Sequence, residues 1–206
     1  MRAVRQMRPQ DAYNCGLYSI WMAIESLTGV DDTLISAIER KARIFSNSAG
    51  GLFRYYEIVK IIHSMGRGAK AVNFHDRTSF LNGLRLHFNH AILIAYSFYG
   101  LDGRAQAPDV AASSAHWSVA DRLDAEGNYV RLANPHGNWT WVSTDNIVRA
   151  NLDLRNGSFY WNDFVRQHAA TPLFQQQTRL YTTGAQDLQT RTREETDLGG
   201  YFIAVS

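Results

Sequence analysis

The chain has 206 residues, of which 45% are apolar and 19% are charged, and its formal net charge at pH 7 is +2. These values are typical of a globular chain with one sizeable core, and the small net charge argues against nucleic-acid binding. The single cysteine excludes an internal disulfide, and the polar N-terminus and lack of a long apolar run argue against an ordinary signal peptide and a membrane span. We therefore expect a cytoplasmic protein, or one that a secretion system independent of signal peptides delivers into a target cell.

The first part of the chain has the periodicity of amphipathic helices. Apolar residues at spacings of three and four predict a helix from Cys15 to Thr28, with Asn14 as its N-cap and Gly29 as its terminator. The same kind of pattern, together with one short β-type run, predicts further elements. They are helices at about 34–44, 52–65 and 78–88 (the last despite Gly83) and a strand at 71–74.

Strand patterns dominate from about residue 90. A continuous apolar run at Ala91–Tyr96 predicts a buried strand, and His116–Ala120, the turn Asp124–Gly127 and Asn128–Asn134 predict a β-hairpin. Further elements are expected as a loop at 100–114, a helix at 144–151 and strands at 139–142, 178–181 and 201–205. Helices first and strands second predict an α+β fold. We expect one domain over residues 1–206, mainly helical to about residue 89 and mainly β from about residue 90.

The position of Cys15 indicates a nucleophile. In the first turn of a helix, the unpaired backbone N–H groups and the macrodipole favour an anion, so we expect the pKa of this thiol to be lowered. Gln10 lies just upstream, and its side-chain amide is a candidate donor to an oxyanion, beside the backbone N–H of Cys15. A lone cysteine on a core helix is, by contrast, most often a small buried hydrophobe.

The geometry of the hairpin predicts that a histidine and an asparagine meet. If about four residues connect the two strands, the residue numbers of each directly opposed pair add up to about 250 or 251. This places His116 opposite Asn134 or one residue away. Directly opposed side chains have Cβ atoms roughly 5 Å apart. An asparagine carbonyl that accepts the imidazole N–H would fix the tautomer and leave the other nitrogen free to act as a base. The alternative is that Asn134 only shapes the turn before Pro135.

Taken together, these motifs resemble those of the papain-like cysteine peptidases. Gln10, Cys15–Gly16, His116–Trp117 and Asn134–Gly137 follow one another in that family's order. The Cys-Gly pair and the short interval between His116 and Asn134 are most similar to the bacteriocin-processing, double-glycine branch, and the Asn-Pro-x-Gly motif is similar to that of calpains.

The resemblance implies a role for each residue. Cys15 would be the nucleophile, and His116 the general base and acid. Asn134 would orient His116, and Gln10 would help to form the oxyanion hole. It also implies a papain-like fold in which a helical lobe and an antiparallel sheet lobe have the active site between them, a protein or peptide substrate, and no metal or organic cofactor.

Two features depart from the family pattern. Gln10 precedes Cys15 by only five positions, which is short for the family. His136 stands where relatives often carry a tryptophan that shields the bond between asparagine and histidine from water. Trp139 and Trp141 are the candidates for this shield.

The predicted function is that of a cysteine endopeptidase that acts through a thioester intermediate. The motif begins almost at Met1, so we expect a catalytic domain cut from a longer chain, or one that a separate protein restrains. By a fold-level analogy alone, papain-like domains of this size include bacterial toxins and effectors, and a dedicated immunity or inhibitor protein is then expected.

Two other functions fit the same residues. The first is a glutamine deamidase or transglutaminase, which performs acyl transfer with the same triad. The second is a catalytically inactive papain-like domain that only binds a partner, in which a buried Cys15 would react slowly and titrate at high pH.

His87 and His90 have a spacing of three but no cysteine or carboxylate nearby in sequence, so we expect no metal site there.

Overall fold

The computed structural model describes residues 1–10, 14–45, 54–107, 111, 114–155, 158–159, 194–195 and 198–206. The helices of this part are α1 (Cys15–Thr28), α2 (Leu34–Phe45), α3 (Tyr55–Ser64), α4 (Arg77–Leu86), a 3-10 helix (Phe98–Asp102) and α5 (Thr144–Leu152). Its strands are β1 (Ala69–Asn73), β2 (Ala91–Ser97), β3 (Ala115–Leu123), β4 (Tyr129–Asn134), β5 (Asn138–Ser143), β6 (Ser158–Phe159), β7 (Glu194–Glu195) and β8 (Tyr201–Val205).

Six of these strands form one antiparallel sheet in the order β1-β8-β2-β3-β4-β5, and β6 pairs with β7 separately. Strand β2 lies inside the sheet and every one of its residues is buried. A strand that is covered on both faces needs apolar side chains at successive positions, which explains the continuous apolar run of its sequence.

Helices pack on both faces of the sheet and create two apolar cores. Leu93, Ala95 and Val119 point to the face that α1 and α3 cover, and α2 packs on these two helices. Ile92 and Ile94 point to the opposite face, which α4 and α5 cover. Successive residues of a strand point to opposite faces, so the one strand β2 contributes to both cores.

The α+β class predicted from the sequence is confirmed, with most of the helices preceding most of the sheet. The predicted bounds of α1 and β8 agree with the structure to the residue. The expected strand at 71–74 is β1, which begins two residues earlier and pairs with β8 at one edge of the sheet. The predicted strand at 178–181 and the predicted start of the third helix at residue 52 lie outside the described residues.

Gly83, which is unfavourable in a helix interior, has a packing reason in α4. A Cβ atom at this position would lie 2.9 Å from the ring of Phe202 on β8, closer than two carbon atoms can approach. The glycine therefore allows α4 to pack directly on the buried aromatic ring, which offsets its low helix propensity.

Candidate active site

Cys15 is the first residue of α1, as the sequence predicted, and the residue as a whole is half-buried. Asn14 is the N-cap residue through its backbone, because its carbonyl accepts the N–H groups of Leu17 and Tyr18. Its side chain makes no capping hydrogen bond, contrary to the expectation from sequence. The backbone N–H of Trp117, the residue after His116 on β3, donates to the Cys15 sulfur. The thiol therefore lies where the start of α1 meets β3.

His116 and Asn134 form the hydrogen bond that the hairpin predicted. His116 Nε2 lies 2.9 Å from Asn134 Oδ1, and the two residues are only 6% and 7% exposed. A buried hydrogen bond between a ring and an amide holds both groups in one orientation, because neither has water as an alternative partner.

The register of the hairpin differs from the predicted one. Ala120 pairs with Leu132, so their residue numbers add up to 252. Beyond a bulge, Arg122 pairs with Arg131, and these numbers add up to 253. Continued along the strands, this register places Asn134 nearest to Ser118, two residues from His116. The contact survives because a shift of two residues keeps both side chains on the same face, and diagonal neighbours are within reach of each other.

The hydrogen bonds around Asn134 determine the tautomer of His116. Asn134 Oδ1 also accepts the backbone N–H of His136, at 2.9 Å. A backbone N–H can only donate, so the atom that faces it is the amide oxygen, and His116 Nε2 must carry the proton that this oxygen accepts. The other ring nitrogen, Nδ1, is then unprotonated and has the character of a base.

Three aromatic side chains surround the His116 ring. Tyr96 on β2 and Phe98 on the 3-10 helix contact it edge-on, with ring centroids 5.6 and 6.1 Å away. His136 stacks on it in parallel, with centroids 4.6 Å apart and an interplanar angle of 3°. The prediction had not assigned a role in the site to any of the three, although the motif position of His136 was a usable signal.

Trp139 and Trp141, the candidates for a shield over the hydrogen bond between Asn134 and His116, are directed elsewhere. They lie on β5 with 45% and 50% of their surface exposed, and the guanidinium of Arg131 lies over the ring of Trp139. Neither has a described ring contact with His116. The side chain that covers the imidazole is His136 itself.

The expected lowering of the thiol pKa was wrong. Burial raises the pKa of Cys15 to about 11, although the backbone N–H groups of Trp117, Gly16 and Cys15 favour the thiolate and oppose this shift. Burial also lowers the pKa of His116 to about 4, against the opposing effect of its hydrogen bond to Asn134. The free-energy cost of removing the thiolate from water is larger here than the stabilisation that the helix N-terminus provides. At pH 7 the resting site therefore holds a neutral thiol and a neutral imidazole.

Gln10 lies beside the turn that follows Asn134. Its backbone N–H donates to the carbonyl of Pro135 at 2.6 Å, and the neighbouring Pro9 packs against Gly137. Its side-chain oxygen is buried and has no hydrogen-bond partner among the described residues. The placement of Gln10 next to the site supports a role there, and its donation to an oxyanion stays a prediction.

The described part of the chain contains neither a cluster of metal ligands nor a helix that could span a membrane. No three histidine, cysteine or acidic side chains of these residues come together as a set that could hold a metal ion. The rings of His87 and His90 contact each other, with centroids 4.9 Å apart. No helix in the described ranges has the length and apolar character that crossing a membrane requires.

The low pKa of His116 makes folding sensitive to acid. The unfolded chain takes up a proton at this residue near pH 6.5, and the folded chain does so only near pH 4. Between these values the unfolded state binds more protons, so the free energy of unfolding falls as the pH falls, by roughly 3 kcal/mol in total. We expect urea titrations at pH 7 and pH 4 to show this loss, and we expect His116→Gln to reduce it.

His75→Gln is the matched control for this experiment, since the side chain of His75 is 71% exposed. It should leave the pH dependence of stability as in the wild type. Equal losses of stability in the wild type and in His116→Gln would contradict the assignment to His116.

No protein-family model matches the chain, and no curated protein matches it. Among solved structures, the chain is similar to a double-glycine-motif protease from an AMS/PCAT transporter, whose crystal structure is of the complex with the leader peptide. The TM-score is 0.46 and the sequence identity is 14%, over 70% of this chain and 83% of that chain. A likeness at this level assigns no activity to the present chain.

Proposed function

We propose that this chain is a papain-like cysteine endopeptidase that cleaves a protein or peptide substrate through a thioester intermediate. The observation that supports this most directly is the pair of His116 and Asn134, with its tautomer set by two hydrogen bonds to Asn134 Oδ1. The strand that carries His116 also donates its next backbone N–H, from Trp117, to the sulfur of Cys15. A nucleophile, a base and a group that orients the base are the parts that acyl transfer requires.

The neutral resting pair determines how the reaction begins. Nδ1 of His116 accepts the proton of Cys15 as the sulfur attacks the substrate carbonyl carbon, and the backbone N–H of Cys15 and the amide of Gln10 receive the oxyanion. The imidazolium then returns its proton to the leaving amine, and a thioester forms. A water molecule then attacks the thioester carbonyl and gives a proton to His116. The carboxylic acid product leaves, and the imidazolium returns that proton to the sulfur of Cys15, which restores the thiol.

One observation favours a different function, an inactive domain that only binds a partner. The raised pKa of Cys15 is what a buried cysteine without a chemical role would have. Alkylation by iodoacetamide separates the two functions. A cysteine that His116 assists should react much faster in the wild type than in His116→Gln at pH 7, whereas an inactive cysteine should react slowly and equally in both.

Proteome-wide labelling of new N-termini tests the proposed function directly. Cells that express the wild type should contain new N-termini that cells expressing Cys15→Ala lack, because only the thiol forms the acyl-enzyme. If the chain is instead a glutamine deamidase, target proteins stay intact and gain about one mass unit at a glutamine, and a transglutaminase leaves a cross-link or an added amine. Equal sets of N-termini in the two cell populations, with no modified glutamine, would count against acyl transfer by Cys15.

The cellular role is a proposal separate from the chemistry. We predict that the chain acts as a bacterial toxin or effector and that a dedicated immunity or inhibitor protein restrains it. We also predict that it is either cytoplasmic or delivered without a signal peptide. A screen for genes whose products protect cells from the wild-type chain, with Cys15→Ala as the inactive reference, would identify such an inhibitor.

A further inference from the structure

The active site contains a second imidazole. His136 lies parallel to His116 with ring centroids 4.6 Å apart, and the edge of Phe98 contacts both rings, each at 6.1 Å. His116 is 6% exposed, while His136 is exposed. His136 therefore forms the outer side of the histidine pair, towards solvent.

The backbone around His136 holds its ring over His116. The N–H of His136 donates to Asn134 Oδ1, the same oxygen that binds His116, and the N–H of Gly137 closes the turn onto the carbonyl of Asn134 at 2.9 Å. Gly137 adopts a φ of +91° and packs on Pro9. The position of His136 and the hydrogen bond that orients His116 are consequently parts of one turn.

The charge of His136 lies directly against the ring of His116. Among the described residues, the rings of His116 on β3 and Phe98 on the 3-10 helix contact the ring of His136, and of these two only His116 is titratable. Pro9 and Gln10 contact the same turn at Gly137 and Pro135. Burial and the charge of His116 both lower the pKa of His136 below its usual 6.5. Two imidazolium rings with centroids 4.6 Å apart repel each other, because the like charges are close and His116 is largely removed from water.

We infer that His136 is a positioning residue that stacks on His116 and controls, through its own protonation, how readily His116 accepts a proton. The consequence for catalysis rests on the proposed function. In that reaction one proton moves from Cys15 Sγ to His116 Nδ1 as the sulfur attacks, so the ring of His116 becomes an imidazolium. A neutral His136 permits this charge on His116, and a protonated His136 opposes it, so the site loses reactivity in mildly acidic solution.

An NMR titration of the histidine rings tests this inference without any substrate. In His136→Phe the stacked ring remains but its charge is gone, so we expect His116 to take up its proton at a pH about one unit higher than in the wild type, a tenfold gain in proton affinity. His136→Gln is a second neutral variant, in case the phenylalanine disturbs the fold. Phe98→Leu is the matched control, since it loosens the same ring cluster without changing any charge, and it should move the titration by less than half as much.

Two results would overturn the inference. One is that His116 titrates at the same pH in the wild type and in both neutral variants. The other is that Phe98→Leu produces a shift as large as theirs, which would mean that packing alone acts on His116. The titration is independent of peptide cleavage, so a chain that cleaves nothing but shows the shift refutes the proposed function only, and an active chain without the shift refutes this inference only.

Discussion

His116→Gln is expected to lower kcat/KM for a substrate found by N-terminal labelling by about four orders of magnitude. Glutamine keeps much of the size of the ring but has no basic nitrogen, and at pH 7 the thiol of Cys15 retains its proton. Without a base, both the attack on the carbonyl and the protonation of the leaving amine lose their catalyst. Losses of this size are typical when one member of a catalytic triad is removed.

The combined variant makes this test sharper. Residues that act as a unit are not additive, so Cys15→Ala/His116→Gln should be no less active than Cys15→Ala alone. Asn134→Ala should lower kcat/KM by roughly 10²-fold, because the base stays but its orientation is lost. Asn138→Ala is the matched control: Asn138 is the exposed cross-strand partner of Asn134 on β5 and has no role in the site. An active His116→Gln variant would refute the assignment of His116 as the base.

Arg8→Met is expected to destabilise the protein by roughly 3–5 kcal/mol, because it leaves the buried carboxylate of Glu25 without its partner cation. Both guanidinium edges are used: Nε donates to Glu25 Oε2 at 2.9 Å, Nη2 donates to Glu25 Oε1, and Nη1 donates to Asp32 Oδ1 at 2.6 Å. The guanidinium carbon also lies 4.1 Å from the centroid of the Trp21 ring. Glu25 itself is fully buried in α1.

Urea unfolding at pH 7 measures this loss. Arg8→Met/Glu25→Gln should recover much of the stability, because glutamine carries no charge. In the wild type the backbone N–H of Asp31 donates to Glu25 Oε1 at 2.7 Å, and the amide oxygen of a glutamine can accept the same hydrogen bond. Arg5→Met is the matched control on the same segment, since Arg5 is exposed, and it should be almost neutral. A double variant that is as unstable as Arg8→Met would show that the unpaired charge is not the cause.

This ion pair also matters for the site. It ties the segment that precedes Gln10 to α1, and Gln10 in turn binds the turn after Asn134 through the carbonyl of Pro135. We expect Arg8→Met to lower activity by less than His116→Gln does, since it loosens the support of the site and leaves its reacting atoms in place.

The bounds of α1 and the buried strand β2 were predictable from sequence because they depend on local periodicity. The apolar residues from Leu17 onward recur at helical spacing, and the continuous run at Ala91–Tyr96 is typical of a strand covered on both faces. The burial of α1 exceeds the one face that this spacing indicates, because every residue from Gly16 to Ser26 is buried. The meeting of His116 and Asn134 was predictable for the same reason, since two short strands joined by a tight turn bring their ends together.

The exact register was not predictable, because it depends on which four residues form the turn. The expected turn is Asp124–Gly127, whereas the Asp124 N–H donates to the Tyr129 carbonyl and Leu123 pairs with Val130, so pairs next to the turn sum to 253 rather than 251. The strand β3 has its bulge near Asp121, whose buried carboxylate accepts the backbone N–H of Val4 and the guanidinium of Arg131. The bulge changes the sum from 253 to 252 and does not remove the difference. Asn134 therefore lies nearest to Ser118 rather than to His116, although on the correct face of the sheet.

By itself, the sequence determined the candidates for the site: Cys15 at a helix start, and His116 and Asn134 on neighbouring strands, follow from patterns of a few residues each. Only the tertiary structure decided the charge state of the site and the neighbour of its base. The helix start favours a thiolate locally, but the packing of β3 against α1 buries the sulfur, and His136 rather than a tryptophan covers His116. The physical reason is that the spacing of apolar residues is a property of the sequence itself. The desolvation of a side chain depends instead on all the groups that surround it in the folded structure.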